Sequence, residues 1–183
     1  MIYQLRITLS RINPPIWRQV LIPTKHSLSK THKVIQAAMG WKGYHLHQFR
    51  TKNLPNQKPV YYGEPDIESS DNLIDDKKVK LSDVLKKENE VIIYDYDFGD
   101  GWQHEIILEK ILDRSDQTHP ICIGGEGACP PEDVGGIPGY YDFLEAIGDP
   151  KHDEHEHLMA WSGGRFDPEK FNMTAVNKKL KAL

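Results

Sequence analysis

The dipeptide Asp100-Gly101 separates two stretches of alternating apolar residues, and it constrains the fold more than any other feature of the chain. Residues 90–98 and 102–112 read with a period of two, which is typical of strands with one buried face. Asp-Gly between two such stretches is among the strongest short signals for an antiparallel hairpin. The sequence therefore predicts a hairpin near the middle of the chain, beside which further strands can pair.

The N-terminal part adds strands and one helix. Residues 3–9 alternate between apolar and polar, and residues 16–22 resume the pattern after a Pro-Pro pair, so we expect an antiparallel strand pair. An apolar stripe that begins at Leu28 predicts a helix, and Gly40 supplies its C-terminal stop. Residues 53–80 are rich in Pro, Asn, Asp and Lys, which predicts a long surface loop around one short strand.

Helices dominate the last third of the sequence. One helix is predicted to end near Gly148, a second to lie near residues 152–161, and a third to begin at Asp167-Pro168 and run toward the C-terminus. Because strands and helices are segregated along the chain rather than alternating, the pattern predicts the α+β class. We expect a single domain over residues 1–183, with a mostly antiparallel sheet, a helix after the first hairpin and helices in the C-terminal third.

Several classes of protein are excluded by what the sequence lacks. Its longest apolar stretches are strand-sized and its first residues lack the order of a signal peptide, so we expect no membrane association. Two cysteines are too few for a secreted disulfide scaffold, which favours a cytoplasmic protein. Neither a Gly-x4-Gly-Lys-Ser/Thr loop, nor a strand-placed G-x-G-x-x-G, nor a G-x-S-x-G elbow is present, which argues against a nucleotide cofactor.

Charge is divided unevenly along the chain. Residues 1–60 contain ten Lys or Arg and no Asp or Glu, whereas residues 61–183 contain thirteen Lys or Arg and twenty-seven acids. Such asymmetry is typical of an anion-binding surface, although the two halves could also pair their charges within one domain. The basic residues expected at the centre of a contact surface are those on regular elements: Arg6, Arg18, Lys30, Lys33 and Arg50.

The central hairpin offers one catalytic arrangement. If Asp100-Gly101 forms a two-residue turn, Asp97 lies directly opposite His104, within reach of a cross-strand contact. A carboxylate in that position can orient an imidazole for proton transfer or hold a histidine that ligates a metal. In the alternative, Asp97 and Asp100 hydrogen-bond the amides of the turn.

Histidines and cysteines offer candidate metal ligands. His45 and His47 project from one face of a predicted strand, about 7 Å apart at their roots, and a converging carboxylate or third histidine would complete a site. The alternative is a chance pair on a packed surface. Cys122 and Cys129, with His104, could hold a structural metal if the glycine-rich loop between them brings the sulfurs together. A divalent metal such as zinc is the cofactor that these residue types would bind.

Glu132 and Asp133 lie on a loop framed by Gly and Pro, where functional carboxylates are often displayed. They either serve chemistry there or tie down an irregular loop. The candidates for a catalytic cluster are Asp97, Asp100, His104, Glu132 and Asp133.

Distinctive blocks spread over nearly the whole chain resemble a known family. The blocks are Pro14-Pro15-Ile16-Trp17-Arg18, Gly40-Trp41, His45-Leu46-His47-x-Phe49, Tyr94-Asp95-x-Asp97-Phe98-Gly99-Asp100-x-Trp102-x-His104, Cys122-x2-Gly125-Glu126-x2-Cys129-Pro130-Pro131-Glu132-Asp133-x-Gly135-Gly136 and Phe166-Asp167-Pro168-Glu169-x-Phe171. They resemble the plasmid pRiA4b ORF-3-like proteins, some of which carry a resolvase-like label as passenger proteins of insertion elements. The resemblance implies an association with mobile genetic elements, but no defined activity.

The residues do not support a serine recombinase. Such an enzyme needs an activated serine among arginines, and Ser10 lies near Arg6 and Arg11 but on the polar face of a regular strand. The first hypothesis is therefore a cytosolic, non-catalytic interaction domain whose partner is a protein or a nucleic acid. The second is a metal-dependent hydrolase or nuclease that uses the hairpin carboxylates, His104 and the Glu132-Asp133 pair.

Overall fold

The structure is a computed structural model that describes residues 1–52, 55, 58–65, 73–113 and 117–183. In these ranges the chain forms eight strands and five helices. The strands are β1 (Ile2–Leu9), β2 (Trp17–Pro23), β3 (His47–Thr51), β4 (Tyr61–Gly63), β5 (Leu73–Asp75), β6 (Val91–Tyr96), β7 (Trp102–Leu112) and β8 (Ile121–Glu126). The helices are α1 (Leu28–Met39), α2 (Leu81–Val84), α3 (Gly136–Gly148), α4 (His155–Trp161) and α5 (Met173–Leu180).

All eight strands form one sheet in the order β5-β4-β3-β6-β7-β1-β2-β8. Neighbouring strands are antiparallel except for β4 and β5, which are parallel. The central hairpin, β6 and β7, therefore lies between β3 and the N-terminal hairpin, β1 and β2. This order places the residues just before β3 beside the turn that joins β6 to β7.

The helices cover one face of the sheet, where the alternating apolar residues of the strands form the core. Side chains that point to this face are almost fully buried, as are Leu5, Phe49 and Ile106, and they pack with residues of α1, α3 and α5. The opposite face is polar and half-exposed, with residues such as Gln48, Gln103 and Glu105. In the described part of the chain, no helix is both long enough and apolar enough to cross a membrane.

The α+β class and the mostly antiparallel sheet are confirmed. Helix α1 ends at Gly40 in the left-handed conformation, as expected, and it begins after Ser27, whose hydroxyl accepts a hydrogen bond from the Lys30 amide. The predicted long loop contains β5 as well as the expected short strand, β4, while residues 53–54, 56–57 and 66–72 of it lie outside the described residues.

The last helix begins later than the sequence predicts. Asp167-Pro168 forms a turn, in which the Asp167 side chain accepts a hydrogen bond from the Glu169 amide. Helix α5 starts at Met173 instead, because the side chain of Asn172 caps it by accepting a hydrogen bond from the Ala175 amide.

Arg18 is a buried residue, and the prediction that it lies at a contact surface is wrong. It points to the helix-covered face and is 2% exposed. Its guanidinium donates hydrogen bonds to backbone carbonyls of Trp17, Ala38, Glu126 and Gly127. One charged side chain thus ties β2 to the end of α1 and to the loop after β8, and its hydrogen-bonding capacity is used inside the fold.

The hairpin register also differs from the prediction. Tyr96 pairs with Trp102 and Tyr94 pairs with His104, so the connection is a five-residue loop, residues 97–101, rather than a two-residue turn. Asp97 therefore does not face His104. The Asp97 side chain bonds amides of its own loop, as the alternative interpretation held, and this favours the longer connection.

His104 is a core residue without a catalytic partner. It is fully buried, its Nδ1 lies 3.4 Å from the Tyr94 carbonyl oxygen, and the edge of Trp41 packs against it. Burial lowers the pKa of His104 to about 4, because a charged imidazole would lose its hydration there.

We predict that His104→Leu weakens the pH dependence of stability. Between about pH 6.5 and pH 4 the unfolded chain binds a proton at His104 that the folded chain does not bind, so the free energy of unfolding falls as the pH is lowered. At pH 5 the titration of His104 lowers the free energy of unfolding by about 2 kcal/mol, and the variant lacks this contribution. Urea unfolding at pH 7.5 and pH 5 measures it, with His157→Leu, at an exposed position, as the control. An unchanged pH dependence in His104→Leu would contradict a neutral, buried His104.

Candidate metal centre

Three segments that are distant in sequence meet at one end of the central hairpin. They are residues 42–46 before β3, the loop 97–101, and residues 130–136, which lead into α3. His47 pairs with Tyr96, and one step further the Asp97 amide donates to the Leu46 carbonyl at 2.9 Å. This continuation of the strand ladder places His45 beside the loop and next to Asp97.

Asp97 has a conformation that aims one carboxylate oxygen at His45. Its φ is +54°, in the left-handed region that is uncommon for residues other than glycine. Its Oδ1 accepts hydrogen bonds from the amides of Gly99 (3.0 Å) and Asp100 (3.3 Å). The other oxygen, Oδ2, lies 3.6 Å from His45 Nε2.

Asp133 and Glu132 approach the same nitrogen from the third segment. Asp133 also has a left-handed backbone, with φ +59°, and its Oδ1 lies 2.9 Å from His45 Nε2. Glu132 Oε2 lies 4.0 Å from that nitrogen. Backbone strain at both Asp97 and Asp133 is typical of positions that a fold holds for function.

Glu132 is fixed by two donors. Its Oε1 accepts hydrogen bonds from the Lys42 amide at 2.7 Å and from the Tyr96 hydroxyl at 3.1 Å. The Tyr96 hydroxyl itself accepts a hydrogen bond from the Tyr44 amide at 3.2 Å. Burial and the charge of Glu132 raise the pKa of Tyr96 well above its usual value, so Tyr96 remains a donor to this carboxylate.

His45 Nε2 is surrounded by carboxylates, but it makes no hydrogen bond. The nitrogen is shielded from solvent, and the contact with Asp133, although short, lacks hydrogen-bond geometry. A buried polar atom without a partner is costly, which suggests that another group satisfies it. His45, Asp97 and Asp133 each offer a ligand atom within 4.8 Å of the others, and no second group of this kind occurs among the described residues.

The loop 97–101 and the segment that carries Glu132 and Asp133 are joined directly. Asp100 Oδ2 accepts a hydrogen bond from the Gly135 amide at 3.1 Å. Gly136, with φ +67°, lies so close to the loop that a Cβ atom there would be 2.5 Å from the Asp100 carbonyl oxygen. Asp100 is therefore a positioning residue for the site rather than a metal ligand.

A cavity of about 770 Å³ opens on the His45 side of this cluster. Its floor contains His32 and His47, whose rings stack with centroids 3.6 Å apart and planes within 9°. His47 Nε2 lies 2.9 Å from Oδ2 of the buried Asp76. His47 is thus held by Asp76 and does not join the three grouped ligands.

The other metal candidates do not assemble. Cys122 and Cys129 are free thiols. The Cys122 thiol donates to the Gly124 carbonyl, and burial raises the pKa of both thiols, which disfavours the thiolate that binds metal. His104 lies under Trp41 in the core. These three residues form no metal-ligand group within the ranges that the structure describes.

The basic residues singled out in the sequence do not form one surface. Arg6 and Arg50 point to the open face of the sheet, where Arg50 Nε lies 2.9 Å from Asp95 Oδ2. Lys30 and Lys33 lie on the exposed side of α1, which covers the opposite face of the sheet. With Arg18 in the core, the expected contact surface is divided between two faces of the molecule.

Sequence reasoning missed two contributors to this region. Tyr96 belongs to the buried alternation of β6, which identifies it as a core residue but does not reveal that its hydroxyl reaches Glu132. Asp76 falls in the stretch read as a surface loop, yet it is fully buried. One feature of the sequence could have indicated that His45 lies near Asp97, because both residues are at the ends of predicted strands that could be adjacent.

Comparison with known proteins identifies the family. Residues 1–175 match the model of the plasmid pRiA4b ORF-3-like proteins. The chain belongs to that family. It is 37% identical over 184 residues to the uncharacterized protein y4hQ of Sinorhizobium fredii (strain NBRC 101917 / NGR234), with 100% of this chain and 92% of y4hQ covered. The crystal structure of MM3350 from Methanosarcina mazei Go1, a protein of unknown function, is similar to it, with a TM-score of 0.83 and 40% identity.

The likeness to MM3350 covers 94% of this chain and 95% of that chain. The fold of this pRiA4b ORF-3-like protein is therefore shared by a relative almost from end to end. Neither relative has a defined function.

We predict that Gly136→Ala destabilises the protein by at least about 2 kcal/mol. An alanine at this φ is strained, and its Cβ would collide with the Asp100 backbone, which cannot give way as a side chain can. Urea unfolding measures the effect. Gly148→Ala is the matched control, because nothing lies within 4 Å of the added methyl group there. Equal stabilities for the two variants would contradict the close packing of loop 97–101 on α3.

Proposed function

We propose that this protein is a metal-dependent hydrolase whose divalent ion is bound by His45 Nε2, Asp97 Oδ2 and Asp133 Oδ1. The observation that carries the proposal is the convergence of these three side chains, with ligand atoms within 4.8 Å of one another. The two carboxylates lie beside His45 Nε2, which is buried and makes no hydrogen bond. A cation at their centre would satisfy all three groups at once.

Two of the separations between the ligand atoms are close to those around a shared ion. Two ligands that are each about 2.1 Å from one metal lie about 3.0 Å apart at a right angle and about 3.4 Å apart at a tetrahedral angle. His45 Nε2 lies 2.9 Å from Asp133 Oδ1 and 3.6 Å from Asp97 Oδ2. Little movement is therefore needed to bind the ion. One nitrogen and carboxylate oxygens suit Zn²⁺ or Mn²⁺.

Hydrolysis is supported by the number of ligands and by Glu132. Three protein ligands leave a coordination position for water, as in catalytic sites, and a bound ion lowers the pKa of that water. Glu132 lies beside the ligands, 4.0 Å from His45 Nε2. Held by the Lys42 amide and the Tyr96 hydroxyl, Glu132 would act as the general base that accepts a proton from water activated by the ion.

The interaction-domain hypothesis is less well supported. A protein or nucleic-acid partner and an association with mobile elements stay predictions. The association with mobile elements rests on the family resemblance. The physical basis of the partner prediction was a basic surface, and the five residues named for it do not share one face. The proposed enzyme uses Asp97, Glu132 and Asp133 from the sequence-predicted cluster, with His45 in place of His104.

The test is calorimetric titration of the untagged full-length chain with Zn²⁺ and with Mn²⁺. We expect one ion per chain. His45→Ala and Asp133→Asn should each weaken binding by at least about tenfold, since each removes a ligand. The control is His157→Ala, an exposed histidine away from the cluster, which should bind the ion like the wild type. Absent binding, or binding that survives His45→Ala, would refute the site.

A second measurement on the same samples tests the reaction class. Glu132→Gln should bind the ion within a few-fold of the wild type but hydrolyse a panel of p-nitrophenyl esters and phosphates about a hundredfold more slowly, because its amide cannot accept the proton. Metal-loaded wild-type protein that hydrolyses nothing in the panel, or a Glu132→Gln variant of full activity, would count against the hydrolase.

A further inference from the structure

The cavity beside His45 has a volume of about 770 Å³, within the usual range for small-molecule sites. We propose that it binds a small organic anion with an aromatic body, whose oxyanion group, phosphoryl or carboxylate, coordinates the metal ion. This inference rests on the proposed function and names the substrate class of that site. Three features of the cavity carry it: a rigid polar floor, an exposed apolar rim and a cation that pairs with no acid in the described ranges.

The polar floor is fixed before any ligand arrives. The Tyr94 hydroxyl accepts a hydrogen bond from Gln36 Nε2 at 2.9 Å, so its own proton points to His32 Nδ1, 2.7 Å away. His32 then stacks on His47, whose other partner is the buried Asp76. Because these rings are locked by neighbours, binding costs little ordering of the site.

The apolar rim lies directly beside the metal ligands. Leu46 follows His45 and Phe98 follows Asp97, and both line the cavity. Leu46 is 60% exposed and Phe98 is 56% exposed. Although Phe98 continues the buried alternation of β6 in sequence, the left-handed backbone of Asp97 ends the strand. Large apolar side chains left in water at the edge of a polar cavity are typical of a surface that a ligand covers.

Charge favours an anion. Among the residues that the structure describes, Lys33 and Lys77 line the cavity together with one acid, Glu64. Lys77 is paired with Glu64, whereas Lys33 makes no ion pair with any residue that the structure describes. Burial, the neighbouring His47 and Lys33, in decreasing order of effect, lower the pKa of His32, and the effect of Lys33 reflects its proximity to the floor. A ligand anion bound in the cavity would give Lys33 a partner.

The experiment compares three probes by calorimetry on the metal-loaded protein. Phenylphosphonate and benzoate carry an aromatic ring with either oxyanion, and methylphosphonate carries the oxyanion alone. We expect one of the aromatic anions to bind at least about tenfold more tightly than methylphosphonate, because the ring is covered by the rim. The tighter of the two aromatic probes identifies the oxyanion. Metal-free protein should bind each probe more weakly.

Two variants separate the contributions. Phe98→Ala should weaken the aromatic probes by about fivefold and leave methylphosphonate unchanged. Lys33→Gln should weaken all three probes by about threefold, since the charge is partly screened. The matched controls are Tyr141→Ala, another exposed aromatic residue, and Lys151→Gln, another exposed lysine; neither should change any affinity.

The failure of this inference is distinct from failure of the proposed function. If the metal binds through His45 but no probe binds, or if probe affinity is unaffected by both Phe98→Ala and Lys33→Gln, the substrate class is overturned and the metal site stands. If no metal binds, the proposed function falls. Probe binding that is equally strong without metal would overturn coordination of the oxyanion.

Discussion

Two hydrogen bonds to a single oxygen, Asp97 Oδ1, hold the loop on which the rest of the site depends. The amides of Gly99 and Asp100 donate to it, which keeps Asp97 in a left-handed conformation and turns its other oxygen toward His45. The same loop presents Asp100 to the Gly135 amide and so fixes the segment of Asp133. One local constraint therefore positions the side chains of the proposed metal site, which come from three parts of the chain.

The buried side of the sheet supports this arrangement. Tyr94 and Tyr96 lie one above the other on β6 with parallel rings, and the ring of Trp41 packs between Tyr96 and Trp102. Trp41 also donates a hydrogen bond to the Pro130 carbonyl, which holds the third segment against the core. Polar groups that serve the site are thus attached to side chains that cannot move without opening the core.

Much of the fold could be predicted from local patterns, whereas the site could not. The alternation in residues 3–9 and the Asp-Gly dipeptide identify strands, because a strand's burial period is written in the sequence. One of the two interpretations of the hairpin had the Asp97 side chain bonding amides of the turn, and the structure shows this contact. The length of the connection between β6 and β7 remained ambiguous, since the sequence around Asp100-Gly101 is compatible with both a two-residue turn and a five-residue loop. The length of this connection decides whether the Asp97 carboxylate lies beside His104 or beside His45. The strand β8 carries glycines and a weak period, so its place is set by pairing with β2, a contact that no local pattern encodes.

We propose that residues 42–46, the loop 97–101 and residues 130–136 form one metal site. Crystals of the protein soaked in Mn²⁺ and measured for anomalous scattering would test it most directly. We predict a single strong anomalous peak about 2.2 Å from His45 Nε2 and from one oxygen each of Asp97 and Asp133. The absence of a peak there, or occupancy confined to the exposed histidines around α4, would contradict it.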